Sequence, residues 1–152
     1  MKKYEINEKT LALAPRDNKT IVYEEDSTFL VDGTPNKIME DSCAYYGSTL
    51  EGRQKGASKL LNISYKIPVI VEDVNNLVFF PTASPKGNKC MWLALNNILN
   101  YYKDEEEIVI VFKNKKEIRL KESYRIIDNQ ILKATRLGCV MQERIKRNTK
   151  KS

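Results

Sequence analysis

The sequence predicts an α+β fold: a mainly antiparallel sheet of short strands, two short central helices and a C-terminal helix. Three observations predict it. Short apolar runs recur on either side of turn-forming residues, as in Pro68-Val69-Ile70-Val71 and Leu77-Val78-Phe79-Phe80 around Asp73-Val74-Asn75-Asn76. Thr34-Pro35 reads as an N-cap followed by a first-turn proline, ahead of a segment that runs to Gly47. Last, Ile127, Ile131, Ala134, Gly138, Met141 and Ile145 keep helical spacing along one face of the segment 124–145.

The elements follow in order. Strands are expected over 10–14 and 20–23, with the turn carried by Pro15-Arg16-Asp17-Asn18-Lys19. A third, over 28–31, ends at the turn dipeptide Asp32-Gly33. The first helix buries Ile38 and Met39, with Cys43 and Tyr46, and stops at Gly47. A second short helix fits 50–61, although Gly52 and Gly56 weaken it by about 1 kcal/mol each. The runs at 68–71 and 77–80 are nearly continuous in apolar residues, which marks strands buried on both faces. An exposed loop rich in Pro, Gly, Ser and Asn follows over 81–89. Two strands, over 107–112 and 117–120, flank Lys113-Asn114-Lys115-Lys116 as a hairpin with a basic tip. In the final helix Gly138 is a candidate break. The expected organisation is one domain over 1–146 and a basic, disordered tail over 147–152.

Composition narrows the function classes. At 152 residues, with 41% hydrophobic and 30% charged, the chain has the make-up of a globular protein with a core of its own. A net charge of +6 permits a polyanionic partner without identifying one. No apolar run approaches the roughly 18 residues that span a bilayer, and the N-terminal cations have no apolar stretch behind them. A cytoplasmic location without membrane attachment is expected. Cys43, Cys90 and Cys139 are odd in number and widely spaced, which argues for buried reduced thiols rather than disulfides. With no histidine and no CxxC pair, no metal site is expected.

The missing histidine also removes the commonest general base and every Ser–His or Cys–His nucleophile. Carboxylates gather in Glu24-Glu25-Asp26 and Asp104-Glu105-Glu106-Glu107, runs that read as solvated turns. No catalytic residue and no cofactor is expected, so the chain does not read as an enzyme.

One stretch stands out: Asp41-Ser42-Cys43-Ala44-Tyr45-Tyr46-Gly47-Ser48-Thr49-Leu50-Glu51-Gly52-Arg53-Gln54-Lys55-Gly56. Its three glycines, paired tyrosines and cations suggest a helix ending at Gly47, then a Gly-Arg-x-x-Gly turn that presents backbone N–H groups and Arg53. The order Ser-Cys, two aromatics, Gly-Ser and Gly-Arg resembles the centre of the ComK family of bacterial competence transcription factors. The resemblance starts near Tyr4-Glu5-Ile6-Asn7. It continues through Ile67-Pro68-Val69-Ile70-Val71, Val78-Phe79-Phe80-Pro81-Thr82 and Cys90-Met91-Trp92, and fades near Arg136. It favours an extended first half for 91–102, against the helical spacing of Trp92, Leu95, Leu99 and Tyr102.

The resemblance implies an activator of DNA-uptake genes that binds A/T-rich boxes in double-stranded DNA through the minor groove. It also implies a homodimer or a dimer of dimers on DNA, a nucleoid-associated location, and RNA polymerase as a further partner to consider. Better-known members carry a docking segment for an adaptor-protease after the last helix. Nothing resembling it follows the lysine-rich end here, which counts against that recognition and against full activation.

The candidate DNA-binding residues are Arg53, Lys55 and Lys59, then Lys86 and Lys89, then Lys115 and Lys116, and finally Lys133 and Arg136. Such cations, if two or three groups converge, neutralise phosphates and give salt-steep binding. Loops and tips bearing Lys or Arg suit a minor groove, and no helix-turn-helix spacing supplies a major-groove reader. For Arg53, DNA contact competes with a structural ion pair holding its turn. For Trp92 and the Tyr45-Tyr46 pair, base stacking competes with core packing, which is favoured for Trp92. Two other readings stand beside the activator. One is an interaction module of the same fold without DNA binding; the other is a phosphate- or nucleotide-handling enzyme using the Gly52-Arg53 turn as an anion nest.

Overall fold

The structure, a computed structural model, describes residues 3–85 and 87–151, with side chains to Asn148. Strands β1 (Thr10–Arg16), β2 (Lys19–Glu24) and β3 (Thr28–Asp32) form an antiparallel meander. Its first turn is tighter than expected. Pro15 and Arg16 stay in β1 opposite Thr20 and Lys19, and Asp17 takes the positive φ of 57° that a short turn requires.

Helix α1 (Pro35–Tyr45) begins where the Lys37 N–H donates to Thr34 Oγ1 at 3.2 Å, and Gly47 at φ 87° ends the turn after it. Helix α2 (Leu50–Leu61) is capped by Thr49, whose Oγ1 accepts the Gly52 N–H at 3.0 Å, and closes on Asn62 in the left-handed region. Gly52 and Gly56 therefore lie inside a helix. The expected Gly-Arg-x-x-Gly turn does not form, because a strong cap and apolar burial of Leu50, Ala57 and Leu61 outweigh two poor helix formers.

Next come β4 (Val69–Glu72), β5 (Leu77–Pro81) and β6 (Trp92–Ala94), then one 3-10 turn at Leu95–Asn97 and β7 (Ile98–Asp104). The stretch 91–102 thus holds two strands separated by that single 3-10 turn. Its helical spacing is incidental, since Trp92 is fully buried while Leu99 and Tyr102 are exposed. The hairpin β8 (Glu107–Phe112) and β9 (Glu117–Leu120) precedes α3 (Tyr124–Lys151).

The strands form a six-stranded sheet in the order β3-β2-β1-β6-β5-β4 and a three-stranded sheet β7-β8-β9, with every pairing antiparallel. The larger sheet is buried on both sides at β1, β6, β5 and β4, as the apolar runs at 68–71 and 77–80 foretell, while Thr28, Leu30 and Asp32 of β3 are exposed. Val69, Val71, Leu77, Phe79 and Trp92 face one core with Ile6 and the α1 residues Ile38, Met39 and Cys43. Their neighbours Ile70, Val78, Phe80 and Leu93 face a second core with Ile108, Ile110, Ile127, Ile131 and Leu137. Period-2 alternation divides each strand between the two. Each large apolar side chain removed from water contributes roughly 1.5–3 kcal/mol. Helix α2 lies along β4 and supplies Leu50 to the first core and Ala57 and Leu61 to the second, so it covers that edge of the sheet.

Gly138 does not break α3. A Cβ there would stand 3.1 Å from Asn76 Nδ2 and 3.4 Å from Val78 Cγ2, so glycine lets the helix close on the β4–β5 hairpin. The helix then runs on to Lys151, across most of the segment expected as a tail.

The two helical glycines should respond in opposite ways. Gly138→Leu should lower unfolding free energy by about 2 kcal/mol through overpacking. Gly56→Ala, with open space where the methyl would go, should raise it by about 0.5–1 kcal/mol. Urea unfolding midpoints of the two variants check both signs.

Candidate nucleic-acid interface

The signature stretch builds a joint in the fold. Ser42, fully buried, accepts the Ile6 N–H on Oγ at 3.0 Å, and the Tyr46 hydroxyl donates to the Ile6 carbonyl at 2.7 Å. These bonds bind the N-terminal segment to α1 and seat Ile6 in the first core. Tyr45 is 66% exposed and meets Tyr46 edge-on, with ring centroids 5.0 Å apart. Trp92 lies fully in the first core, so it offers no stacking face.

Arg53 points into this joint. Nη1 and Nη2 donate to the two carboxylate oxygens of Asp73 at 2.9 and 3.1 Å, and Nε donates to Ser48 Oγ at 3.0 Å. The fork ties α2 to the loop before it and to the β4–β5 turn, and leaves the side chain only 22% exposed. The ion-pair alternative is the one the structure displays. The anion nest is not formed, because Thr49 takes both nearby amides: Gly52 N–H through Oγ1 and Arg53 N–H through its carbonyl.

The remaining candidates scatter into three regions. Lys55 is exposed and bonded to Glu51 at 2.9 Å, a contact that holds the Glu51 carboxyl below its ordinary range. Lys89 is exposed on the loop whose Gly87 and Asn88 line one depression with Asp17, Asn18 and Pro35, beside the β1–β2 turn. Lys86 lies outside the described residues. At the β8–β9 tip, Lys115 is exposed with φ 76°, but Lys116 Nζ donates to the Glu24 carbonyl at 2.8 Å and Asn114 Nδ2 to the Glu25 carbonyl at 2.8 Å. That tip is docked on an acidic turn, so its net field is weaker than the sequence implies.

Lys59, Lys133 and Arg136 stand on α2 and α3, two helices that pack on each other. Leu60 and Gly56 of α2 line the same shallow groove as Leu137 and Met141 of α3, while Lys59 and Arg136 are exposed on those two helices outside its lining. Lys133, a turn before Leu137, donates from Nζ to Gln130 Oε1 at 2.9 Å and to the Tyr65 carbonyl at 3.3 Å. Burial first, and the charge of Lys66 second, hold the Lys133 ammonium below its ordinary value.

Lys66 and Tyr65 escaped the sequence reading. Lys66 Nζ lies 5.3 Å from the centroid of the Tyr65 ring, and that ring is 61% exposed. Their only mark in the sequence is a lysine beside an exposed aromatic, a pattern too common to select. Among the described residues, none of Lys59, Lys66, Lys133 and Arg136 forms an ion pair with a carboxylate.

Cys43 and Cys90 are buried free thiols, and burial pushes Cys43 up to about 11. Cys139 is exposed on α3, unlike the buried thiol expected of it, because it lies off the apolar stripe that packs on the sheet. Among the described residues no group of acidic or cysteine side chains is arranged to hold a metal ion, and no helix is long and apolar enough to cross a membrane.

Fold and surface define a class: an α+β protein whose central strands are buried on both sides, with several lysines and arginines that meet no described carboxylate in an ion pair. Comparison supplies the family. The ComK protein family matches residues 1–146, and the chain belongs to that family. It is 31% identical over 150 residues to a protein named competence transcription factor from Bacillus subtilis (strain 168), covering 95% of this chain and 78% of that one. No solved structure matches.

Two outcomes test this geometry. Arg53→Ala should lower stability by about 1 kcal/mol, and Arg53→Lys should not restore it, since an ammonium cannot make the fork; thermal melts of both variants read this out. Native protein treated with an alkylating agent at pH 8 should be labelled at Cys139, with Cys43 and Cys90 labelled only after unfolding. Peptide mass mapping distinguishes the three.

Proposed function

We propose that this chain is a competence transcription regulator that binds double-stranded DNA, reading A/T-rich boxes through the minor groove as a homodimer or a dimer of dimers. The observation that carries the reading is the similarity, along 95% of the chain, to a protein named competence transcription factor. The charge distribution supports it. Lys59, Lys66, Lys133 and Arg136 lack carboxylate partners among the described residues, so their counterions are available for release to a polyanion. Minor-groove readout mainly separates A·T from G·C pairs and asks for groove shape and a few cations rather than a helix with base-reading side chains. Arg53 serves this function from within, by holding α2 in register with the β4–β5 turn.

A labelled duplex with an A-run followed by a T-run, compared across a salt series with a G·C-rich duplex of equal length, tests the proposal. The expected result is tighter binding to the A/T duplex that persists as salt rises. Equal binding to both, lost together at moderate salt, would reduce the interaction to the net charge of +6 and sink the sequence-selective reading.

A further inference from the structure

We propose that Lys66 and Lys133 act as a pair that grips the phosphodiester backbone of bound DNA, with Tyr65 and Gln130 as the positioning residues that hold them. The inference rests on the DNA-binding reading above and assigns it a centre.

Gln130 is 1% exposed, yet its amide is fully used. Nε2 donates to the Lys66 carbonyl at 2.9 Å and the Pro81 carbonyl at 2.8 Å, while Oε1 accepts from Lys133 Nζ at 2.9 Å. One buried side chain therefore anchors the loop that carries Lys66, the end of β5, and the ammonium of Lys133. Lys133 closes the circuit by donating to the Tyr65 carbonyl at 3.3 Å. The backbone of Lys66 takes a positive φ of 48°, uncommon for a lysine. Its ammonium rests 5.3 Å from the Tyr65 ring centroid.

The charges are then set against each other. An ammonium has three donors; Lys133 spends two on Gln130 and Tyr65 and keeps one, and Lys66 has no described oxygen partner. The charge of Lys66 depresses the proton affinity of Lys133, and neither lysine meets a described carboxylate in an ion pair. Gln130 brings the Lys133 ammonium to the backbone of Lys66, where the Lys66 charge acts on it, and a bound anion would favour both charges. A phosphodiester fits, being an anion that accepts from separate donors along a continuous strand. An acidic peptide is the competing anion.

The test is duplex binding across a salt series for the parent, Lys66→Ala, Lys133→Ala and the double variant, together with Tyr65→Phe and Tyr65→Ala. The slope of log affinity against log salt should fall by about 0.9 for each lysine removed. Tyr65→Phe should bind like the parent, and Tyr65→Ala should lose several-fold in affinity, since only the ring positions Lys66. Tyr65 is exposed, so these two variants carry the test if Lys133→Ala does not fold. Parent-like slopes in the lysine variants, or equal affinity for the Phe and Ala variants, would overturn the pair while leaving DNA binding intact. A parent that binds no duplex but captures a poly-glutamate peptide would overturn the functional reading and this proposal together.

Discussion

Everything in this molecule depends on a sheet whose central strands have no polar face. Each central strand must send its odd and even residues into two different cores, so both faces need a cover. Helix α1 and the N-terminal segment cover one; α3 and the three-stranded sheet cover the other. The bulge in β1 follows from the same demand. It lets Leu11 and Ala12 face the same core before Leu13 returns to the other. Helix α2 belongs to both cores and closes the β4 edge, so its placement fixes the relation between the layers.

That position explains why Arg53 is turned inward. A helix that bridges two cores needs a tie at its exposed end. The Asp73 turn offers a planar carboxylate at the right distance, and Ser48 takes the Nε donor. The Ser-Cys, Tyr-Tyr, Gly-Ser and Gly-Arg blocks are thus a set of structural contacts: Ser42 and Tyr46 on Ile6, Cys43 in the core, Gly47 at the stop, Ser48 and Arg53 at the tie. A signature that identifies the family describes its scaffold.

Electrostatics follow neutralisation rather than count. Lys55, Arg53 and Lys116 are each satisfied by this chain's own oxygens, whereas Lys59, Lys66 and Arg136 are not. Sequence spacing brings Glu51 to Lys55 on one helix face, but it cannot show Asp73 or the Glu24 carbonyl arriving at Arg53 and Lys116. The hairpin tip shows this best, since it looks like a reaching finger and proves to be docked through Asn114 and Lys116 on an acidic turn, with Lys115 left exposed.

Local chemistry alone determined much here. The Thr34 cap, the stop at Gly47, the β8–β9 hairpin and the doubly buried strands are legible because each rests on neighbours in sequence or on simple periodicity. Family membership was legible from ordered blocks. Tertiary structure alone decided which partners long-range contacts would supply. It turned Arg53 onto Asp73, kept Gly138 as the point where α3 meets Asn76 and Val78, and brought the backbone of Lys66 to Lys133 through Gln130. Lys66 and Lys133 are far apart along the chain, and only the packing of α3 over the end of β5 makes them one site. Proximity of that kind is a property of the folded core, and no pattern of spacing encodes it.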